Sequence, residues 1–146
     1  MIRALIDANV LISVLLSPSS TKPPVAIIDH AFERVVDLLV SETTIKEFRN
    51  KVATKPYLAS RLTSDDVEAF ISILTDSSTI LPELREEIPT LSRDRKDDYL
   101  LLHAVASSAE FLVTGDKDLL VLEQIDETRI VSPAEFMAIL DAESGA

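Results

Sequence analysis

The chain has 146 residues, 47% of them hydrophobic, with five Phe, two Tyr, no Trp, no Cys and a net charge of −11. That length suits one domain, residues 1–146, whose aliphatic core can be buried without disulfides or a structural metal. The composition excludes a disulfide framework, a thiolate zinc site, a cysteine nucleophile, a membrane span of roughly 18 apolar residues, and tight nucleic-acid binding by general electrostatics alone.

Residues 2–6, Ile-Arg-Ala-Leu-Ile, read as a short buried strand that ends at Asp7, and residues 9–16 as a helix. Asp7 and Asn9 interrupt the apolar run, so it is not read as an export signal, and a cytoplasmic location is expected. Residues 17–24 are a loop by composition, and a helix follows from about Pro24 to Arg34 with proline in its first turn. Residues 35–40 form a second strand. Ser41 is placed to cap the next helix, which carries Ile45, Phe48 and Val52 on one face. Lys55-Pro56 ends that helix, a turn runs through Leu58–Leu62, and Thr63 to Asp66 open another helix to about Leu74. Thr79–Leu81 is a weak strand, and Pro82–Leu91 is irregular. Asp97–Ser108 reads as a helix apolar nearly all round and so largely buried. Phe111–Thr114 is a strand, and Gly115-Asp116 turns the chain into a short helix near Leu119–Glu123. Arg129–Val131 is the last strand. Ser132-Pro133-Ala134-Glu135 is a capping box with proline at the first helical position. The tail from Glu143 is expected to fray.

Alternating strands and helices predict an α/β fold: a three-layer α/β/α sandwich with a central, mainly parallel sheet of about five strands. In such sheets ligands bind beyond the carboxyl ends of the strands, where strand order reverses. Asp7 and Asp116 both follow strands. If those strands are neighbours, the two carboxylates face one crevice. Asp97 begins the helix leading into the second of them, and Glu47 lies on the helix after strand two. Acids gathered in one crevice raise one another's pKa, and a divalent cation with a preference for oxygen ligands removes that penalty. Each acid also has an ordinary reading as a cap, a turn former or a solvated charge.

The motifs taken together resemble those of PIN domains. Leu5-Ile6-Asp7-Ala8-Asn9-Val10-Leu11-Ile12 resembles the opening motif of that family, and Thr44-Ile45-Lys46-Glu47-Phe48 the second. The run from Arg93 through Asp94, Asp97 and Asp98 to His103-Ala104 is similar to the third. Leu112-Val113-Thr114-Gly115-Asp116-Lys117-Asp118 is similar to the fourth. The likeness spans nearly the whole chain and is strongest to the toxin-like branch of bacterial and archaeal PIN proteins related to VapC. It implies a ribonuclease dependent on Mg2+ or Mn2+, with Asp7, Glu47, Asp97 and Asp116 as the acidic quartet and Asn9 and Thr114 as supporting polar residues. Asp97 is preferred to Asp98 because it precedes Ala104 by seven residues; Asp98 and Asp118 are the alternates. Arg95 stands where related sequences often have proline. The implied reaction is in-line attack of water on phosphorus, leaving a 5′-phosphate and a 3′-hydroxyl. Arg95, Lys96 and Lys117 are candidate RNA phosphate contacts, with Arg49, Lys51, Lys55 and Arg93 also near the motifs. His30 and His103 are assigned to packing or surface. A small antitoxin partner and a homodimer are further implications.

The competing reading is a non-catalytic PIN-fold interaction module. A phosphoacceptor receiver domain would need an acidic pair at strand one, where the chain has Asp7-Ala8-Asn9. A dehalogenase-type phosphatase would want a second aspartate where Asn9 stands. A P-loop enzyme is excluded, because the chain holds two glycines and no Gly-x-x-x-x-Gly-Lys.

Overall fold

The alternation of apolar residues along the strands builds two cores, one on each face of a single sheet. The computed structural model describes residues 1–16, 23–84 and 95–143, with the side chains of Phe32, Arg95, Lys96 and Asp97 outside that description. In chain order the elements are β1 (Ile2–Ile6), α1 (Ala8–Leu16), α2 (Pro23–Phe32), β2 (Val36–Ser41), α3 (Glu42–Thr54), α4 (Pro56–Ala59), α5 (Ser64–Ser77) and β3 (Thr79–Leu81). After these come α6 (Arg95–Ser107), β4 (Phe111–Val113), α7 (Lys117–Leu120), β5 (Gln124–Ile125), β6 (Thr128–Val131) and α8 (Pro133–Glu143). The sheet has six strands in the order β3-β2-β1-β4-β6-β5. All pairs are parallel except β5 with β6.

Ala4, Ile6, Leu38, Val40, Phe111, Val113 and Val131 point to the larger core, where Leu11, Ile27, Phe48, Leu74 and Phe136 bring in α1, α2, α3, α5 and α8. Leu5, Leu39, Leu112 and Ile130 point the other way, onto Leu100, Leu101 and Ala104 of α6 and Leu119 of α7. Burying a side chain such as Leu or Phe contributes about 1.5–3 kcal/mol, so this two-sided burial is what holds the sheet between helices.

Local signals set the helix starts. Ser41 accepts from the Thr44 N–H at 2.9 Å and begins α3. Thr63 and Asp66 form a reciprocal capping box at α5, and Ser132 with Glu135 forms another at α8. Away from those starts, Arg34, Ser108, Glu123 and Asp126 adopt left-handed backbone, with φ of 60°, 55°, 63° and 48°.

The structure corrects the sequence reading in three places. A sixth strand, β5, pairs antiparallel at the sheet edge; at two residues it is too short to show a period. Helix α6 is one-sided: Leu100, Leu101 and Ala104 are buried, while Tyr99, Val105 and Ala106 face solvent. Helix α7 starts earlier than expected, at Lys117, because Asp116 caps it. The expected loop at 17–24 lies outside the described residues except for Pro23 and Pro24, which open α2. The irregular stretch to Leu91 lies outside them beyond Leu84, and the tail beyond Glu143. Among the described residues no helix is long and apolar enough to cross a membrane.

Candidate functional site

Strand order reverses between β1 and β4, which are neighbours: Ile6 is in register with Val113. The next residue of each strand is therefore Asp7 on one side and Thr114 on the other. The Asp7 N–H donates to Val113 O at 3.1 Å, and the Thr114 N–H donates to Val131 O at 3.0 Å, so the backbone of both residues continues the sheet. Their side chains meet. The Thr114 hydroxyl donates to Asp7 Oδ2 at 2.6 Å, and the Asn9 N–H reaches Asp7 Oδ1 at 3.4 Å.

Asp7 is 4% exposed and Thr114 is fully buried. Burial pushes the Asp7 carboxyl above the usual carboxylate range. The Glu47 carboxylate adds to the rise, while the Thr114 hydroxyl, the Asn9 N–H and the Lys51 ammonium oppose it. Burial therefore disfavours the ionised form of Asp7, while the donors and the ammonium around it favour that form.

Glu47 comes to the same crevice from α3. The Lys51 Nζ lies 3.2 Å from Glu47 Oε1, one turn back on α3, and donates to Asn9 Oδ1 at 3.0 Å. The two α3 side chains are only partly exposed, 31% for Glu47 and 26% for Lys51. Helix α3 can reach Asn9 because α1 and α3 pack together.

Asp116 is tied in through its backbone. Its N–H donates to Thr114 Oγ1 at 3.1 Å, and its Oδ1 accepts from the Asp118 N–H at 2.8 Å to cap α7. One Thr114 hydroxyl thus links the carboxylate of Asp7 to the main chain of Asp116. A hollow of about 230 Å³ lined by Asn9, Ser13, Gly115, Asp116 and Pro133 opens beside this link. A second, of about 470 Å³, opens along α3 and is lined by Lys46, Glu47, Asn50, Lys51, Lys55 and Tyr99. The larger hollow of about 560 Å³, bordered by Met1, Arg34, Asp37 and Thr79, lies at the other end of the strands and touches none of the predicted residues.

The structure therefore gathers Asp7, Asn9, Glu47, Thr114 and Asp116 at one sheet edge. Asp118 and Lys117 are exposed in the first turn of α7. Asp97 sits in the first turn of α6, as do Arg95 and Lys96, and the side chains of these three lie outside the described residues. The Asp98 side chain is fully buried. His103 is also buried, and desolvation holds its pKa below the usual imidazole value, in keeping with a packing role. The residue that sequence reasoning undervalued is Lys51, grouped there with general phosphate contacts. Its spacing of four from Glu47 was the available signal.

The donors collected here are carboxylates, an amide oxygen and a hydroxyl, the hard oxygen set that Mg2+ and Mn2+ take. Among the described residues no three acidic or imidazole side chains stand close enough together to hold an ion. The cation that does bridge two elements in this crevice is the Lys51 ammonium, between Glu47 and Asn9. The donor chemistry is of the type a divalent ion takes.

Comparison with known proteins agrees with the fold. The PIN-domain family model matches residues 3–118. An uncharacterised protein, MJ1680 of Methanocaldococcus jannaschii, is 28% identical over 145 aligned residues, covering 93% of this chain and 90% of that protein. Among solved structures, PAE2754 of Pyrobaculum aerophilum superposes with a TM-score of 0.60 at 19% identity, covering 97% of this chain and 90% of that one. VapBC2 of Rickettsia felis, bound to a DNA fragment from its promoter, gives 0.64 at 13% identity, covering 90% and 98%. FitAcB of Neisseria gonorrhoeae gives 0.57 at 19% identity, covering 90% and 98%.

Proposed function

The chain belongs to the PIN-domain family, and from that premise we propose that it is a Mg2+- or Mn2+-dependent ribonuclease of the VapC-related branch, the toxin of a toxin–antitoxin pair. The observation that carries this reading is the buried Asp7 carboxylate at the β1–β4 reversal, bonded to Thr114 and facing Glu47 and Lys51. Asp7, Asp116, Glu47 and Asp97 are the residues that would hold the metal. A divalent cation supplies charge neutralisation at a phosphodiester and a lower pKa for water.

The protein's own residues do the rest. Thr114 fixes the direction of the Asp7 carboxylate and, through the Asp116 N–H, the start of α7. Asn9 presents its amide oxygen to the same crevice from the first turn of α1. Glu47 is positioned to orient the attacking water. Lys117, in the first turn of α7, together with Arg95 and Lys96, is a candidate to meet phosphates flanking the cut. An acidic crevice of this kind is a target for an arginine from a small antitoxin, and the likeness to VapBC2 supports such a partner. A homodimer belongs to the same reading.

The alternative reading is a PIN-fold module that binds without cutting. One experiment separates them. A panel of end-labelled structured RNAs is incubated with Mg2+, Mn2+ or chelator, using wild type and Asp7→Asn. Metal-dependent cutting that disappears in the variant supports the nuclease. No cutting together with no Mn2+ binding supports the module.

A further inference from the structure

Lys51 is placed unlike an ordinary helix-surface lysine. A Glu–Lys pair spaced by four residues on a solvated helix contributes little and involves nothing else. Here the ammonium leaves its own helix and donates to Asn9 Oδ1 at 3.0 Å while staying 3.2 Å from Glu47 Oε1. Asn9 is two residues from Asp7, and its N–H bonds the Asp7 carboxylate. Lys51 is also the cation whose charge bears on Asp7. The carboxylates nearest this ammonium are those of Glu47 and Asp7, so the lysine answers negative charge at the crevice itself.

We propose that Lys51 is a built-in counter-ion of the acidic crevice and competes with the divalent cation for Glu47 and Asn9. The inference rests on the metal-dependent reading above and deepens it by adding a gate on metal occupancy. With the metal away, the ammonium offsets repulsion between Glu47 and Asp7. When metal enters, the side chain has to swing out. The hollow along α3, lined by Lys46, Asn50, Lys55 and Tyr99, is the space open to it. The competition sets a threshold: metal binds more weakly than the bare acids would allow.

The test is calorimetric titration of the full chain with MnCl2 alone, comparing wild type with Lys51→Met, Lys51→Arg and Lys46→Met. Lys51→Met keeps the aliphatic length and removes the charge. Two charges on the metal against one about 5 Å away, in a water-like dielectric, predict a gain of about tenfold in Mn2+ affinity. Lys51→Arg should stay close to wild type. Lys46→Met, which removes a charge from the same helix where it pairs with Glu83, should change affinity much less. The melting temperature should rise more on adding Mn2+ for Lys51→Met than for wild type. Unchanged or weaker Mn2+ binding by Lys51→Met overturns the proposal, as does an equal gain in Lys46→Met. If Mn2+ binds Lys51→Met but not wild type, the gate is confirmed in its strongest form. If no variant binds Mn2+ at all, the metal-dependent reading itself fails, an outcome distinct from binding that is insensitive to Lys51.

Discussion

Thr114 Oγ1 donates a 2.6 Å hydrogen bond to Asp7 Oδ2, joining two residues that lie 107 positions apart in the chain. The bond is buried, and the same hydroxyl oxygen accepts from the Asp116 N–H. Thr114→Val keeps the shape and removes both roles. A buried carboxylate left with one donor fewer predicts a loss of about 1–3 kcal/mol in urea unfolding. Thr114→Ser should recover most of it. Equal stability of the valine and serine variants would show that the bond contributes nothing.

Asp7 governs one part of the acid–base response. Burial raises its pKa in the folded protein above the ordinary 3.8. Stability from this group is therefore fully present below the unfolded pKa and is lost as pH rises through the raised folded value. In chelator, Asp7→Asn should melt above wild type at pH 7, and the gap should close as pH falls towards 4. A variant that melts below wild type at pH 7 contradicts the desolvation account.

His103 works in the opposite direction. Desolvation lowers its folded pKa beneath 6.5, and its Nε2 has no hydrogen-bond partner among the described residues. Its contribution is present above the unfolded pKa and is lost as pH falls through the lowered folded value. Melting curves between pH 7 and pH 5 should show wild type losing more stability than His103→Leu. Parallel losses would place the acid sensitivity elsewhere.

Asp97 and Asp98 are neighbours with different assignments. Asp98 is sealed from solvent. Asp98→Asn is expected to cost about 1–3 kcal/mol of stability while leaving measurable RNA cleavage. Asp97→Asn is expected to leave melting unchanged and reduce cleavage by about a hundredfold or more, as loss of a metal ligand would. Cleavage that survives Asp97→Asn and fails in Asp98→Asn would exchange the two roles.

The features read correctly from sequence were those written in short-range code. Asp7 and Asp116 stood out because each follows an apolar run, and β1 and β4, the strands they follow, do pair side by side. Ser41, Thr63 and Ser132 announced helix starts through capping chemistry. Other features depend on tertiary arrangement. The exposed side of α6 was hidden because Val105 and Ala106 count as apolar in any window, yet only one face of that helix meets the sheet. Strand β5 needs β6 beside it to exist. The reach of Lys51 to Asn9 follows from how α1 packs on α3, a distance of 42 positions in sequence.

The left-handed residues Arg34 and Ser108 lie in the connections that enter β2 and β4, so they sit at the rim opposite the acids. Each is a position where an ordinary side chain accepts a conformation that glycine adopts freely, at a cost of roughly 1–2 kcal/mol. The chain uses only two glycines in all, and neither is spent there. Replacing either residue with glycine would relax that rim without moving Asp7 or Thr114. Backbone strain and the Asp7–Thr114 pair thus lie at opposite ends of the strands, and stability can be altered at one end without touching the other.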